Sequence, residues 1–468
     1  MRRLNVVFVL ALVIASILPV ATPAQAAETR PRYDIQAAFD YTNYTAEVVE
    51  RVRYVNRTGA RLATVAFDVV PTGYDAFRLL GAKVNGAPVR TILDGASLEL
   101  VLPRPLAPGS AVDLQIDYQL PVPNQTNIRL GHHNGVVYLG NWYPTLQVFD
   151  QAKGDWPRYP YVEEGDAFYS EAADYAVTLD FVNAPANLTV AHSGRLVSKV
   201  GDHYVLSGER MREFAVTFSD LYLTSSKKVG ATTILTYYLP NETAGAAYVL
   251  DTAAKAVEWG NEHLGPYPYP TLTIAEGIDP TGGGQEYSSM FILASGDYNG
   301  YKGSYFYYLV AHEIYHEWFY WLVGNDQVEY GWLDESFGCY LGYQFVKEVM
   351  GDQFDFATIW QANVIDYYDS GVKKWGYVPL DTIVYDYAND EHIFRVQYRQ
   401  GAIFQEEVRS RLGDAAYYQM LREYISANRW GIASSTDLLE RILYRLPVDG
   451  PGLIRSHFSQ GTLEKLGL

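Results

Sequence analysis

The segment Tyr305–Gly324, YFYYLVAHEIYHEWFYWLVG, is almost entirely apolar or aromatic, and it constrains the fold more than any other part of the sequence. A helix of this composition is hydrophobic on every side and is expected to be buried. Its middle nevertheless carries four ionisable residues, namely His312, Glu313, His316 and Glu317. Burying such groups is costly unless something binds them. A divalent cation would satisfy this requirement.

Residues 312–316, HEIYH, have the pattern H-E-x-x-H. On a helix, residues four apart share a face, so both imidazoles can reach one ion. Glu313 is offset from that face and can address a water molecule on the ion. Gly324 and Asn325 are predicted to end this helix, and a second one, WLDESFGCYLGYQFVKEVMG, follows with Glu335 near its start. Two antiparallel helices joined by a short loop can bring Glu335 onto the same ion.

The residue types favour zinc, which takes imidazole nitrogen and carboxylate oxygen readily. His312, His316 and Glu335 supply three ligands, so one Zn²⁺ ion with a position left for water is predicted. Zinc lowers the pKa of such a water to about 7, and Glu313 can then remove a proton from it at neutral pH. A zinc-stabilised binding module without turnover is disfavoured, because structural zinc sites usually have four protein ligands.

The stretch HEIYHEWFYWLVGNDQVEYGWLDES resembles the M1 family of zinc aminopeptidases, of the gluzincin clan, whose pattern is H-E-x-x-H-x18-E. The resemblance implies that His312, His316 and Glu335 are the zinc ligands and that Glu313 is the general base. It also implies that Tyr398, in QYRQGAIF, stabilises the oxyanion. The family pattern there is Y-x-K-G, and Gln400 stands in place of its Lys.

The family's G-x-M-E-N motif, which holds the free amine of the substrate, is matched by GGGQEYSS. The substrate-binding residues implied by this match are Gly283, Gly284, Gln285 and Glu286. The glycines let a substrate backbone approach as an added strand would, and the Glu286 carboxylate can pair with a charged α-amine. Gln285 replaces the family's Met, so the pocket for the first side chain is expected to differ.

Residues 27–240 are predicted to form an antiparallel β domain. Segments such as YTAEVVERVRYVN have the alternating pattern of strands, and Gly, Pro and Asn residues punctuate them. Beyond residue 240, TAGAAYVLDTAAKAVEWGNEHLG has a helical period and TLTIAE is predicted as a strand. Residues 241–468 are predicted to be mostly helical, and the resemblance implies a thermolysin-like catalytic domain. The fold class is thus multidomain α and β. Many relatives carry a further C-terminal helical domain, and its absence here predicts a more open groove.

The N-terminus, MRRLNVVFVLALVIASILPVATPAQAAETR, has a basic start, an apolar stretch and an A-x-A cleavage site. Residues 1–26 are predicted to be a signal peptide, so the protein is expected to be secreted or extracytoplasmic; an uncleaved membrane anchor is the alternative. The single cysteine, Cys339, excludes an internal disulfide. The dispersed net charge of −18 argues against nucleic acid or an anionic membrane as partner. No stable membrane association is expected after signal cleavage.

Together these features predict a secreted zinc metallopeptidase that hydrolyses N-terminal residues from peptides with a free N-terminus. The nucleophile is a zinc-activated water, with a glutamate as general base. One alternative is a zinc metalloendopeptidase with an open groove, suggested by Gln285 and the missing C-terminal cover. The least favoured alternative is the non-catalytic binding module.

Overall fold

A computed structural model describes residues 30–163, 165–298 and 302–468. The predicted signal peptide, residues 1–26, lies outside the described residues. Within the described ranges, no helix is both long and apolar enough to cross a membrane.

The first half of the described chain is built from short strands. These are β1 (Arg32–Asp40), β2 (Thr45–Val55), β3 (Leu62–Asp68), β4 (Arg78–Val84), β5 (Ala87–Pro88), β6 (Thr91–Asp94), β7 (Ser97–Leu106), β8 (Ala111–Pro121), β9 (Leu130–His133), β10 (Val136–Leu139), β11 (Thr145–Leu146), β12 (Ala173–Val182), β13 (Thr189–His192), β14 (Arg195–Val200), β15 (His203–Met211) and β16 (Val216–Ser219). They form an eight-stranded sheet in the order β14-β15-β12-β1-β2-β8-β4-β5 and two four-stranded sheets, β13-β16-β10-β9 and β11-β3-β7-β6.

The predicted antiparallel β domain is confirmed. Inward and outward residues alternate along these strands; on β2 the even positions from Ala46 to Tyr54 are buried. This period of two is what a sheet with one face on the core requires. Among the pairs in these three sheets, β1 with β12 is parallel and the others are antiparallel.

The second half begins with two further strands, β17 (Leu223–Val229) and β18 (Thr232–Tyr238), followed by the predicted helix, α1 (Thr243–His263), and by β19 (Thr271–Gly277), β20 (Gly284–Tyr287) and β21 (Met290–Ala294). The rest of this half is helical. Its helices are α2 (Ser295–Tyr298), α3 (Ser304–Tyr315), α4 (Gln327–Tyr330), α5 (Trp332–Val349), α6 (Phe356–Trp360), α7 (Tyr367–Trp375), α8 (Asp390–Ile393), α9 (Gly401–Leu412), α10 (Asp414–Asn428), α11 (Ser435–Arg445), α12 (Gly450–Arg455) and α13 (Gln460–Leu466). Two π-helical segments lie among them, at Gln361–Asp366 and Phe394–Gln400.

A five-stranded sheet in the order β17-β18-β19-β21-β20 supports the helical half. Strand β18 thus pairs with a strand that follows residue 240, where the sequence predicts the domain boundary, and β17 pairs with β18. β18 pairs in parallel with β19, and helix α1 connects these two strands. The five-stranded sheet therefore begins before residue 240, at Leu223. Inward and outward residues alternate along β18 as they do in the β domain, so the period of two does not separate this strand from the earlier ones. β20 lies at the edge of this sheet.

The buried helix is shorter than the sequence predicts. Helix α3 ends at Tyr315, and His316 occupies its C-cap, whereas the prediction ran to Gly324. The chain continues through irregular turns, in which the Gly324 N–H donates to the Gly431 carbonyl. Four consecutive large aromatic residues, Trp318 to Trp321, are all buried there, and a continuing helix would point them to every side. Packing in several directions therefore overrides the helical pattern.

Arg212 connects the β domain to the helical half. Its buried guanidinium donates to the backbone carbonyls of Ser170, Tyr320 and Gly431, at 2.6 Å for Ser170 and 3.2 Å for Tyr320. A Cβ at Gly324 would lie 2.3 Å from the centre of that guanidinium. Three segments distant in sequence therefore share one cation, and this holds the loop after α3 in place.

Glu50 is an ionisable group in the core of the β domain. It faces inward from β2, it is fully buried, and neither carboxylate oxygen has a hydrogen-bond partner. Burial raises the pKa of Glu50 well above its ordinary value of 4.5, so the folded state favours the neutral acid.

We expect Glu50→Met to raise the free energy of unfolding by about 1–3 kcal/mol near neutral pH, because it removes an unpaired buried polar group. Below pH 4.5 the carboxyl is protonated in both states, so the gain is smallest there. As the pH rises above this value, only the unfolded wild-type chain releases the proton, which lowers wild-type stability and widens the gap.

Denaturant unfolding between about pH 4 and about pH 7 measures this difference. Glu47→Met is the matched control, since Glu47 lies on the exposed face of the same strand. A Glu50→Met gain that is absent or independent of pH would contradict the interpretation.

Candidate active site

The structure brings His312, His316 and Glu335 together between α3 and α5. The Nε2 atoms of the two histidines lie 3.1 Å apart, and the Glu335 Oε2 lies 3.5 Å from the first and 3.8 Å from the second. All three donor atoms fall within 4.8 Å of one another in a buried place. Two imidazole nitrogens facing one carboxylate oxygen are a donor set that suits zinc.

The unsatisfied atoms at this point favour a bound cation. Glu335 Oε2 is buried and has no hydrogen-bond partner. Burial, and then the neighbouring His316, lower the pKa of His312 well below its ordinary value, so this imidazole is neutral. A neutral imidazole and a buried carboxylate without a partner are what a metal ion would bind. The residues present therefore fit a metal site.

Asp334, which precedes Glu335, orients His316. The Nδ1 of His316 hydrogen-bonds to the Asp334 carboxylate, and the Gln327 side chain donates to the other oxygen of that carboxylate. With Nδ1 engaged, Nε2 is the nitrogen left to face the ion, as metal-bound histidines require. Although burial opposes it, the surrounding carboxylates, Asp334 first, raise the pKa of His316. Sequence reasoning did not find Asp334, although its place beside Glu335 is a usable signal.

Gly338 gives the two imidazoles their space. It lies on α5 one turn after Glu335, and a Cβ there would be 2.8 Å from Nδ1 of His312 and 3.0 Å from Cε1 of His316. Side chains cannot approach that closely without moving. Close packing of α3 on α5 at the metal site therefore depends on a residue without a side chain at this position.

Glu313 faces the edge strand β20. A Cβ at Gly284 would lie 2.3 Å from Oε1 of Glu313, so the backbone of β20 is in direct contact with this carboxylate. Gly283, just before the strand, has a φ of 117° and donates its N–H to Asp297 at 2.6 Å. Oε2 of Glu313 has no hydrogen-bond partner, and burial raises its pKa to about 8. One carboxylate oxygen of Glu313 therefore lies unpaired beside the strand.

Glu286 lies two residues after Gly284 on β20, on the His316 side of the site. Oxygen and nitrogen atoms of Glu286, His316 and Asp334 lie within 4.8 Å of one another. Burial, and then the neighbouring Asp166, raise the pKa of Glu286 well above 4.5. The predicted substrate-binding residues thus lie on the wall of the metal site, at one end.

Gln285, the departure from the family motif, is the centre of a buried network. Its Oε1 accepts from Nε and Nη2 of Arg129 at 3.0 and 2.8 Å. Its Nε2 donates to Asp166 and to Glu286, both at 3.0 Å. Every hydrogen-bonding position of the amide is used. Gln285 therefore holds the Asp166 and Glu286 carboxylates side by side while it accepts hydrogen bonds from Arg129.

Asp166 was missed by sequence reasoning. It lies in the segment between β11 and β12, and its carboxylate shares a cluster with Glu286 and Glu335 in which donor atoms are within 4.8 Å. Arg129 pairs with it. No pattern in the surrounding loop sequence marks Asp166, because its approach to β20 depends on how the β domain packs on the catalytic half.

Tyr398 lies on the other wall, in the π-helical segment Phe394–Gln400. Its ring stacks on His312 with centroids 5.6 Å apart. Burial, and then the Glu335 carboxylate, raise the pKa of Tyr398 well above 10, so its hydroxyl stays a neutral donor. π-helical turns often occur at functional sites, and this one brings Tyr398 next to the metal-site residues.

Glu317 has a different task from the residues around it. It is buried, and its Oε2 accepts from the Ser289 N–H at 3.0 Å. Ser289 lies in the turn between β20 and β21. Glu317 therefore holds the hairpin that carries Glu286 against the end of α3.

Residues 248–449 match the family model described as the peptidase family M1 domain. This chain contains a peptidase family M1 domain. The M1 domain spans the edge strand β20, both helices of the metal site and Tyr398.

Solved structures share the whole fold. The M1 zinc metallopeptidase from Deinococcus radiodurans matches with a TM-score of 0.65 and 19% identity, covering 92% of this chain and 94% of that one. A mutant of that enzyme bound to a Tyr-Ser-Ala substrate matches with a TM-score of 0.63 and 17% identity over 92% and 94%. The β domain followed by the M1 domain is therefore an arrangement that other chains of similar length adopt.

Curated relatives are more distant and longer. Endoplasmic reticulum aminopeptidase 1 of Rattus norvegicus is 24% identical over 54% of this chain and 28% of its own length. Aminopeptidase N of Lactobacillus helveticus is 24% identical over 64% of this chain and 37% of its own length. The chain thus spans about a third of the length of these relatives.

Gly338→Ala is expected to weaken metal binding by about 10–100-fold, because the added methyl group displaces both imidazoles of the M1 domain. Competition against a chelator, with zinc content measured by elemental analysis, gives the affinity. Gly452→Ala is the matched control, since a Cβ there meets nothing within 4 Å. Equal affinities for the two variants would contradict this account.

Proposed function

We propose that this protein is a zinc-dependent aminopeptidase that removes residues from the N-termini of peptides. The spacing along β20 carries the proposal, because Glu286 lies two residues from Gly284, whose backbone touches Glu313. An extended chain advances about 3.3 Å per residue, so an amine held at Glu286 places the first peptide bond near Glu313. The M1 domain and the related structure with Tyr-Ser-Ala bound support a peptide substrate.

The amine end of the site is an acidic cluster that recognises a positive charge. The cluster consists of Glu286 and Asp166, and Gln285 and Arg129 hold these two side chains in place. Asp166 already pairs with Arg129, so an incoming ammonium supplies the cation that the buried Glu286 carboxylate lacks, and the pairing is charge-assisted. The Arg129 and Gln285 side chains behind the two carboxylates are buried, and we expect this wall to disfavour a chain that continues past the amine.

His312, His316 and Glu335 would hold one zinc ion. When bound, this ion supplies a Lewis acid that lowers the pKa of water and polarises a carbonyl.

Glu313 and Tyr398 perform the proton and charge steps. Glu313 takes a proton from the attacking water and passes it to the leaving nitrogen, which its free Oε2 and its contact with β20 allow. Tyr398 donates its hydroxyl proton in a hydrogen bond to the oxygen that becomes negative in the transition state. Proximity to Glu286 then makes the first peptide bond the one that is cleaved.

The decisive comparison is a peptide against its N-acetylated form. Wild type is expected to cleave the free-amine peptide and to lose at least about a hundredfold in kcat/KM on acetylation, which removes the charge that the acidic cluster binds. Glu286→Gln should lose most of this preference, with Glu258→Gln, at an exposed position of α1, as the matched control. Equal cleavage of both peptides, or cuts in the middle of an unstructured protein, would favour the endopeptidase alternative.

Glu313→Gln separates the general base from the metal ligands. We expect kcat to fall by about 10²–10⁴-fold while zinc content stays at the wild-type level, because Glu313 faces β20 and the three ligands remain. Turnover of aminoacyl fluorogenic amides, with the zinc content of each sample measured, checks this. Loss of zinc together with activity would make Glu313 a ligand instead. Full activity would remove it from the mechanism.

We also propose that the protein is exported and acts outside the cytoplasm. The basic, then apolar N-terminus with its A-x-A site supports this. Mass spectrometry of the mature protein should find an N-terminus directly after Ala26. An intact N-terminus in the membrane fraction would favour the anchor alternative.

A further inference from the structure

Arg399, which follows Tyr398, carries a charge that no acidic side chain of the described ranges pairs with. Its Nη1 donates to the Tyr308 hydroxyl at 3.1 Å and lies 2.9 Å from the Cys339 sulfur. Its Nε has no hydrogen-bond partner. The guanidinium also lies 5.6–5.9 Å from the centres of three tyrosine rings, those of Tyr308, Tyr343 and Tyr367.

The groups that touch Arg399 do not neutralise it. Burial raises the pKa of the Cys339 thiol, and it raises that of the Tyr308 phenol well above 10, so both remain uncharged. Aromatic faces attract a cation but supply no net charge. A largely buried guanidinium in such surroundings has unused capacity to bind an anion.

Arg399 and the amine-binding carboxylates lie at opposite ends of the metal site. Tyr308 comes one turn before His312 on α3, so the guanidinium lies beyond the His312 end. Glu286 lies at the His316 end, with donor atoms of the two residues within 4.8 Å. Tyr308 and His312 are one helical turn, about 5–6 Å, apart, so the guanidinium that donates to the Tyr308 hydroxyl lies on the His312 side of the site.

A bound peptide would run from the amine end toward Arg399. With its amine at Glu286, the chain passes Gly284 and Glu313, and the residues after the cleaved bond continue past them. Tyr305, half-exposed at the start of α3, packs on Tyr308 on this side, with ring centroids 5.9 Å apart. At about 3.3 Å per residue, the residues after the cleaved bond advance toward the side of the site on which Arg399 lies.

We propose that Arg399 binds a carboxylate on the leaving side of the scissile bond, so that the site selects short peptides with a free C-terminus. This proposal rests on the proposed aminopeptidase function and names its substrate class. A guanidinium binds a carboxylate through charge-assisted hydrogen bonds, and Nη2 of Arg399 is not engaged in a hydrogen bond within the described chain, whereas Nε is buried. The same chemistry would accept the side chain of an acidic second residue.

The experiment uses four substrates that share the first residue X that the enzyme turns over fastest: X-Ala, X-Ala amide, X-Asp amide and X-Asn amide. Wild type should hydrolyse X-Ala with a kcat/KM about tenfold or more above X-Ala amide, because only the acid pairs with Arg399. Preference for X-Asp amide over X-Asn amide would assign the carboxylate to the second side chain instead.

Arg399→Gln should bring the acid-to-amide ratio close to one, and Arg399→Lys, which keeps the charge, should restore part of it. Arg411→Gln, at an exposed position of α9, is the matched control and should keep the wild-type ratio. A thermal unfolding scan of each variant accompanies the kinetics. If Arg399→Gln does not fold, the wild-type ratios and the lysine variant decide the question.

A binding measurement separates this proposal from the proposed function. Calorimetry on zinc-loaded Glu313→Gln protein should show tighter binding of X-Ala than of X-Ala amide, and Arg399→Gln in that background should remove the difference. Equal rates and equal affinities for acid and amide in both substrate pairs would overturn the carboxylate site and leave the aminopeptidase standing. Absence of turnover on every free-amine peptide would overturn the aminopeptidase, while calorimetry still tests Arg399.

Discussion

The meeting of two imidazole nitrogens and one carboxylate oxygen in the buried space between α3 and α5 is the interaction on which the structure depends. Without a cation, Glu335 keeps a buried oxygen with no partner, and the two Nε2 atoms face each other at 3.1 Å. Such a cluster is unfavourable by itself in a low dielectric. The most apolar helix of the described chain is therefore organised around a charge that the protein does not supply.

Much of the surrounding architecture serves this cluster. Asp334 and Gln327 orient His316, and Gly338 lets the helices pack closely. Glu317 holds the β20 hairpin against the same helix. The site is consequently built in layers, and the outer contacts decide where the atoms of the inner ones point. Arg212 connects the β domain to these contacts, because its guanidinium holds the loop after α3.

Charge is distributed unevenly along the cleft. Carboxylates gather at the His316 end, where Asp166 and Glu286 lie side by side, and Arg399 lies beyond the His312 end. A peptide with a free amine and a free carboxylate has the opposite order of charges. Electrostatic complementarity of this kind sets orientation and register more than it sets total affinity. Peptide length and cleavage position would then depend on the same two charged ends.

The sequence by itself determined the elements and the inner site: alternation predicts the β domain, and H-E-x-x-H with Glu335 predicts the three ligands, because helical spacing is a local property. Only the tertiary structure decided where α3 ends, which sheet β17 and β18 join, and that Asp166, Arg129 and Arg399 approach the cleft. These outcomes depend on packing between segments far apart in the chain. Local periodicity carries no information about such contacts.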